Sequence, residues 1–168
     1  MATRVFTIGY GSKDLLDLVR RLRKFGITHV VDVRTNPYSR YQEDFRGAAF
    51  GRRLAEEGFR YVFMGDRLGG KPANPEVQTN GHTDYDKLRL AGFFLQGVDR
   101  LVEAAKDERK KLCLLCGCSK ASECHRGRFL GEVLEDRGVE LLHITAHDEL
   151  ETQSVVRDQI TQGQAKLF

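Results

Sequence analysis

Apolar and polar positions along this chain fall into blocks whose spacing switches between strand and helix. Val5-Phe6-Thr7-Ile8 reads as a short buried strand leading into the turn Gly9-Tyr10-Gly11-Ser12. Leu15, Leu18/Val19, Leu22 and Phe25 then recur at helical spacing, and Gly26 is placed to end the helix. His29–Val33 is a second strand, halted by Asn36-Pro37. Phe50 and Leu54 mark a helix that stops at Gly58, and Phe59–Phe63 a third strand. Leu88, Phe94/Leu95, Val98 and Leu101/Val102 predict a longer helix, then Leu112–Cys116 a fourth strand. Phe129/Leu130 and Val133/Leu134 outline a helix up to Gly138, and Val139–Ile144 a fifth strand. Between Gly65 and Asp84 lies a polar stretch rich in Gly, Pro and Asn, expected to be an irregular connector of the kind that covers a site.

Unbroken apolar strands alternating with helices predict an α/β fold: one three-layer α/β/α domain over residues 1–146, with a mostly parallel sheet of about five strands. Residues 147–168 read as a C-terminal helix or extension ending in an apolar tail. In such sheets ligands sit outside the carboxyl ends of the strands, which makes the strand ends the candidate site.

A 40% hydrophobic fraction in 168 residues is enough for a core. No apolar run approaches the roughly 20 residues that span a bilayer, and the N-terminus lacks a signal-peptide stretch. Cys113, Cys116, Cys118 and Cys124 crowd into one segment, a poor disulfide framework that suits a reducing cytoplasm. Membrane and secreted readings therefore drop out. The net charge of +3 says little, but residues 1–70 carry thirteen Lys/Arg against eight Asp/Glu. Most of that excess is arginine, a good fork for phosphate oxygens, so an anionic partner is expected; a surface of ordinary ion pairs is the alternative.

At the first strand end, Gly9, Tyr10 and Ser12 form a turn whose helix-start amides could hold an anion, with Ser12 as N-cap. It is not the dinucleotide fingerprint, because Lys13-Asp14 follows where a third glycine belongs. At the second, Asp32 and Arg34 share a face of the sheet. The pair reads as a base or hydroxyl acceptor beside an anion-gripping guanidinium, or else as a structural ion pair. Pro37, Ser39 and Arg40 follow. After the third strand, Gly69, Gly70 and Lys71 offer close backbone approach and a cation.

The fourth strand carries the densest chemistry, Cys116-Gly117-Cys118 through Cys124-His125-Arg126. Cys124 near a helix start with Arg126 close by favours a thiolate, nucleophilic or redox-active. The alternative makes Cys116, Cys118, Cys124 and His125 metal ligands. Their C-x-C-x5-C-H spacing is not a standard zinc pattern, and adjacent Cys124 and His125 rarely both reach one ion without strain. No metal or cofactor is therefore expected. Cys113 reads as a small core residue, and His82 and His143 as thinner candidates.

Several of these pieces occur together in one family. Thr7-Ile8-Gly9-Tyr10, Val31-Asp32-Val33-Arg34 with Pro37 and Ser39, Phe45, Tyr61, Leu68-Gly69-Gly70, Phe94 with Gly97, Leu114-Leu115-Cys116, Cys124-His125-Arg126 and His143-Ile144 stand in matching order and spacing. Through them the chain resembles the domain of unknown function 488 family from about Val5 to Ile144. The resemblance implies a small α/β domain with a polar site and no settled family-wide activity. This chain departs at Cys118, where similar proteins often place Glu.

The expected function is an enzyme acting on a nucleotide or nucleic acid by hydrolysis or transfer. Arg34, Arg40 and Lys71 would hold phosphates, Asp32 would act as base, and Cys124 with Arg126 would complete the pocket. A non-enzymatic nucleic-acid-binding or adaptor module and a thiol or redox protein are the alternatives. Gln164, Leu167 and Phe168 resemble the short peptide that docks bacterial DNA-replication and repair proteins on the sliding clamp, which would place the protein at DNA.

Overall fold

The computed structural model describes residues 2–165. In chain order the elements are β1 (Thr3–Gly9), α1 (Leu15–Lys24), β2 (His29–Asp32), α2 (Gly47–Glu56), β3 (Arg60–Phe63), the one-turn helix α3 (Gly65–Leu68), β4 (Gln78–Thr79), β5 (His82–Thr83) and the one-turn helix α4 (Tyr85–Leu88). They continue with α5 (Gly92–Ala105), β6 (Leu112–Cys116), α6 (Gly131–Asp136), β7 (Val139–Ile144), β8 (Leu150–Thr152) and α7 (Gln153–Ala165). The main sheet has six strands in the order β3-β2-β6-β1-β7-β8. All its pairings are parallel except β7 with β8. The mostly parallel α/β architecture is as the pattern predicts, with a sixth strand added from the C-terminal extension.

Period-two alternation divides the core into two halves. Phe6 and Ile8 of β1, Val30 of β2 and Cys113 and Leu115 of β6 pack with Leu15, Leu18 and Leu22 of α1 and Phe50 and Leu54 of α2. Val5, Val31, Leu112 and Leu114 face the other way, toward Phe94, Val98 and Leu101 of α5 and Leu134 of α6. Full burial of one such Phe or Leu contributes about 2 kcal/mol. The α1 helix is capped by Asp14, whose carboxylate accepts from the Asp17 amide at 2.9 Å; Ser12, the expected cap, lies exposed before it. Gly26 ends that helix at φ +67°, where a side chain would be strained.

Two expectations change in the middle of the chain. The connector between Gly65 and Asp84 is ordered: α3, a 3-10 turn and the β4–β5 hairpin occupy it, with Asn80 and Gly81 at φ 54° and 77°. Asn-Gly between short strands is the strongest short-range hairpin signal, because both turn positions need positive φ. The predicted helix across Leu88–Val102 is split into α4 and α5, since Ala91 is extended at ψ 134°. Among the described residues no helix is long and apolar enough to cross a membrane.

Strands β1 and β2 are consecutive in sequence but not adjacent; β6 lies between them. The carboxyl ends of β1, β2 and β6 therefore converge, bringing Gly9, Asp32 and Cys116 to one edge of the sheet.

Candidate functional site

At the end of β2, Asp32 is fully buried and Arg34 nearly so. Arg34 donates from Nε to Asp32 Oδ1 at 2.9 Å and from Nη2 to Oδ2 at 2.8 Å, a bidentate fork. The Arg34 amide adds a bond to Oδ1, and the Tyr61 hydroxyl donates to Oδ2 at 2.6 Å. Arg34 Nη1 donates to the Tyr10 hydroxyl and to the Phe45 carbonyl. Four donors occupy the four lone-pair directions of Asp32, so no oxygen is left to take a substrate proton. Burial, with the Asp32 carboxylate beside it, pushes the Tyr61 hydroxyl above its usual range.

The neighbouring candidates brace this pair. Tyr10 stacks on Phe45 at 3.9 Å between ring centroids. The Tyr10 and Gly11 amides donate to the carbonyls of Cys116 and Gly117, which takes two groups out of the expected anion cradle. Gly9 is needed for close approach, because a Cβ there would stand 1.6 Å from the Cys118 carbonyl oxygen. The Pro37 carbonyl accepts from the Gly47 amide, and the Ser39 hydroxyl accepts from the Gln42 amide. Arg40 is exposed, its guanidinium 5.9 Å from the Tyr41 ring centroid, and Ser12 is exposed too; neither lines the cleft described next.

Beside the pair opens a cleft of about 850 Å³, lined by Arg34, Lys71, Tyr85, Arg89, Glu123, Arg128 and the cysteine segment among others. Cys116 comes from the end of β6, and Cys118 from the loop beyond it. Cys124 and His125 lead into a π-helical turn, Arg126–Leu130, that continues as α6. Cys116 Sγ and Cys124 Sγ each lie 3.9 Å from His125 Nδ1. His125 Nε2 lies 3.2 Å from the Leu68 carbonyl. Gly70 makes room for that ring, since a Cβ there would stand 2.8 Å from its Cγ, and Gly69 packs as tightly on Thr35. Hydrogen bonds to Cys116 and Cys124 draw the exposed Cys118 thiol down to about 3. The same contacts and burial push Cys124 up. Cys113 is sealed in the core, and burial raises its thiol.

Arg126 is fully buried; it donates from Nη1 to Thr7 Oγ1 at 2.9 Å and from Nη2 to the Cys118 and Ser119 carbonyls. It thus holds the loop that carries Cys118. Thr7 Oγ1 lies 2.7 Å from His143 Nδ1, and His143 Nε2 lies 2.8 Å from Gln153 Oε1. Gln153 in turn donates to the Gly127 carbonyl and to Glu132. Since the Gln153 oxygen only accepts, Nε2 carries the ring proton and Nδ1 accepts from Thr7. Burial lowers His143 to about 4, so the ring is neutral. His143 lines a second, smaller cleft with Ser119, Glu123 and Thr145.

The cleft joins Arg34, Gly70, Lys71, Cys116, Cys124 and His125 and adds residues that pattern reading passes over. Tyr85, Arg89, Glu123, Arg128 and Phe129 come from three separate places between Gly70 and α6. Arg89 and Arg128 sit in the part of the chain with a negative balance, where a count of charges hides them. Their signal was positional: each is the exposed neighbour of a buried apolar anchor, Arg89 directly after Leu88 and Arg128 directly before Phe129. Gln164 is exposed on α7, whereas Leu167 and Phe168 lie outside the described residues. The family model described as Domain of unknown function DUF488 matches residues 14–134. No curated protein and no solved structure matches the chain.

Proposed function

The chain belongs to the family described as Domain of unknown function DUF488, and within it we propose an enzyme that acts on a nucleotide or nucleic acid by hydrolysis or transfer. One observation carries this reading. Lys71, Arg89 and Arg128 surround a single cleft, and among the described residues none of them has a carboxylate partner within 4 Å. Most other arginines are in ion pairs: Arg20, Arg21, Arg23, Arg34, Arg46 and Arg53 all face acids. Unpaired cations converging on a concavity suit phosphate oxygens, and Tyr85 and Phe129 on the same walls suit a stacked base. Arg89 already lies 5.6 Å over the Phe129 ring, which limits the entropy it loses on gripping a ligand. Glu123, exposed on the rim, takes over from Asp32 as the carboxylate free to move a proton.

The tail peptide Gln164, Leu167 and Phe168 belongs to the same reading as a sliding-clamp anchor that would bring the cleft to DNA, tested by clamp pull-down with and without residues 164–168. For the cleft, the test is anisotropy of a labelled single-stranded oligonucleotide against salt, with product analysis on a nucleotide panel. Three phosphate contacts predict a slope of about −2 in log affinity against log salt. Arg89→Ala with Arg128→Ala should flatten it. Salt-dependent binding without turnover would favour the adaptor alternative, and no binding by any nucleotide or oligonucleotide overturns the reading.

A further inference from the structure

We infer that Cys116, Cys118, Cys124 and Nδ1 of His125 hold one zinc-type ion, which clamps the end of β6 to the entry of α6. This assignment is independent of what the cleft binds.

The ligand atoms of Cys116, Cys124 and His125 all lie within 4.8 Å of one another. Both sulfur-to-nitrogen distances are 3.9 Å. A tetrahedral zinc ion with ordinary bond lengths sets that edge at about 3.6 Å, so the atoms need to close by only a few tenths of an ångström. Cys118, exposed on the loop just beyond β6, lies outside that group of three and would close in from the solvent side as the fourth ligand.

Adjacent Cys124 and His125 reach one point because the backbone changes conformation between them. Cys124 is extended at φ −130°, ψ 146°, while His125 is helical at φ −58°, ψ −26°. The turn swings both side chains to the same side, which a uniform strand or helix would not do.

Two further observations point to a cation of this class. A carbonyl oxygen can only accept, so the 3.2 Å contact with Leu68 fixes the proton on His125 Nε2. The Nδ1 lone pair then faces the sulfurs, in the arrangement that orients metal-binding histidines. The second observation is charge. Three arginines are buried: Arg34 faces Asp32, and Arg21 faces Asp17 and Asp148. Among the described residues Arg126 has no carboxylate partner, and its buried Nε has no hydrogen-bond partner. A divalent ion with three thiolates and an imidazole carries a net charge of −1, and Arg126, bonded to the Cys118 and Ser119 carbonyls, is its counter-charge. Thiolate and imidazole donors select zinc over magnesium or calcium.

The test is metal content of full-length protein prepared anaerobically with reductant, followed by stripping, thiol counting, and titration with Zn²⁺ and Co²⁺. The expected result is one equivalent per chain, a tetrahedral cobalt spectrum with thiolate charge-transfer bands, and a rise in unfolding temperature on zinc addition. Cys116→Ser and Cys124→Ser should each lower affinity at least a hundredfold, whereas Cys113→Ala should keep full stoichiometry. Stripped wild-type protein with free thiols that takes up neither ion overturns the assignment. So does undiminished binding by the Cys116→Ser/Cys124→Ser double variant, or a Cys116–Cys124 disulfide that persists under reductant.

Discussion

At the ends of β2 and β6 stand two polar groups of opposite character. The Asp32–Arg34 pair is closed: fork, amide, hydroxyl and carbonyl partners saturate it, and Phe45 and Phe50 cover it. The cysteine–histidine cluster is open: its sulfurs face an imidazole lone pair, one thiol is exposed, and unpaired cations surround the cleft beside it. Both groups lie where a parallel sheet binds ligands. Position alone therefore does not separate a site from a brace; unused bonding capacity does.

The largest effect that would test this contrast is on stability. Asp32→Ala leaves Arg34 buried without its counter-ion and should cost about 3–5 kcal/mol in urea unfolding. A loss under about 1 kcal/mol would show the pair to be less committed to the fold than its bonding implies. Lys71→Ala, in the open group, should change stability by under about 0.5 kcal/mol while weakening oligonucleotide binding about tenfold.

The buried chain from Arg126 through Thr7 to His143 and Gln153 gives an effect of intermediate size. Burial holds His143 at about 4, below the ordinary value of about 6.5. As pH falls through 6.5 the unfolded chain takes up a proton that the folded chain refuses until about pH 4. Stability from this group is thus complete above pH 6.5 and falls by about 3 kcal/mol by pH 4. Urea midpoints at pH 7.5 and 4.5 should differ less for His143→Gln than for wild type, and an equal difference would remove His143 from the account. Tyr61→Phe should cost less than either buried change above, about 1–2 kcal/mol, because Asp32 keeps three of its four donors.

The fold was legible because Leu112–Cys116 and Val139–Ile144 are apolar runs bounded by turn residues, and the structure places strands at those residues. The closure of Asp32 was not, because Tyr61, Tyr10 and Phe45 reach it from separate segments that only packing brings together. Charge counting pointed to the first seventy residues, yet most of those arginines satisfy nearby acids, while the three unpaired cleft cations lie beyond them. The approach of Cys124 to His125 depends on one change of backbone conformation that residue spacing does not encode.

The place of β6 between β1 and β2 also sets a timetable for synthesis. Phe6 and Val30 both find their sheet partner in Cys113, more than eighty residues further along the chain. Until Leu112–Cys116 leaves the ribosome, the first two strands have an empty slot between them and two unpaired edges. Such distant pairing makes folding slow and leaves the growing chain prone to association, so the nascent N-terminal half is the stretch a chaperone would meet. The strand that fills this slot is also the strand that brings Cys116 to the sheet edge, and Cys124 and His125 follow it within nine residues.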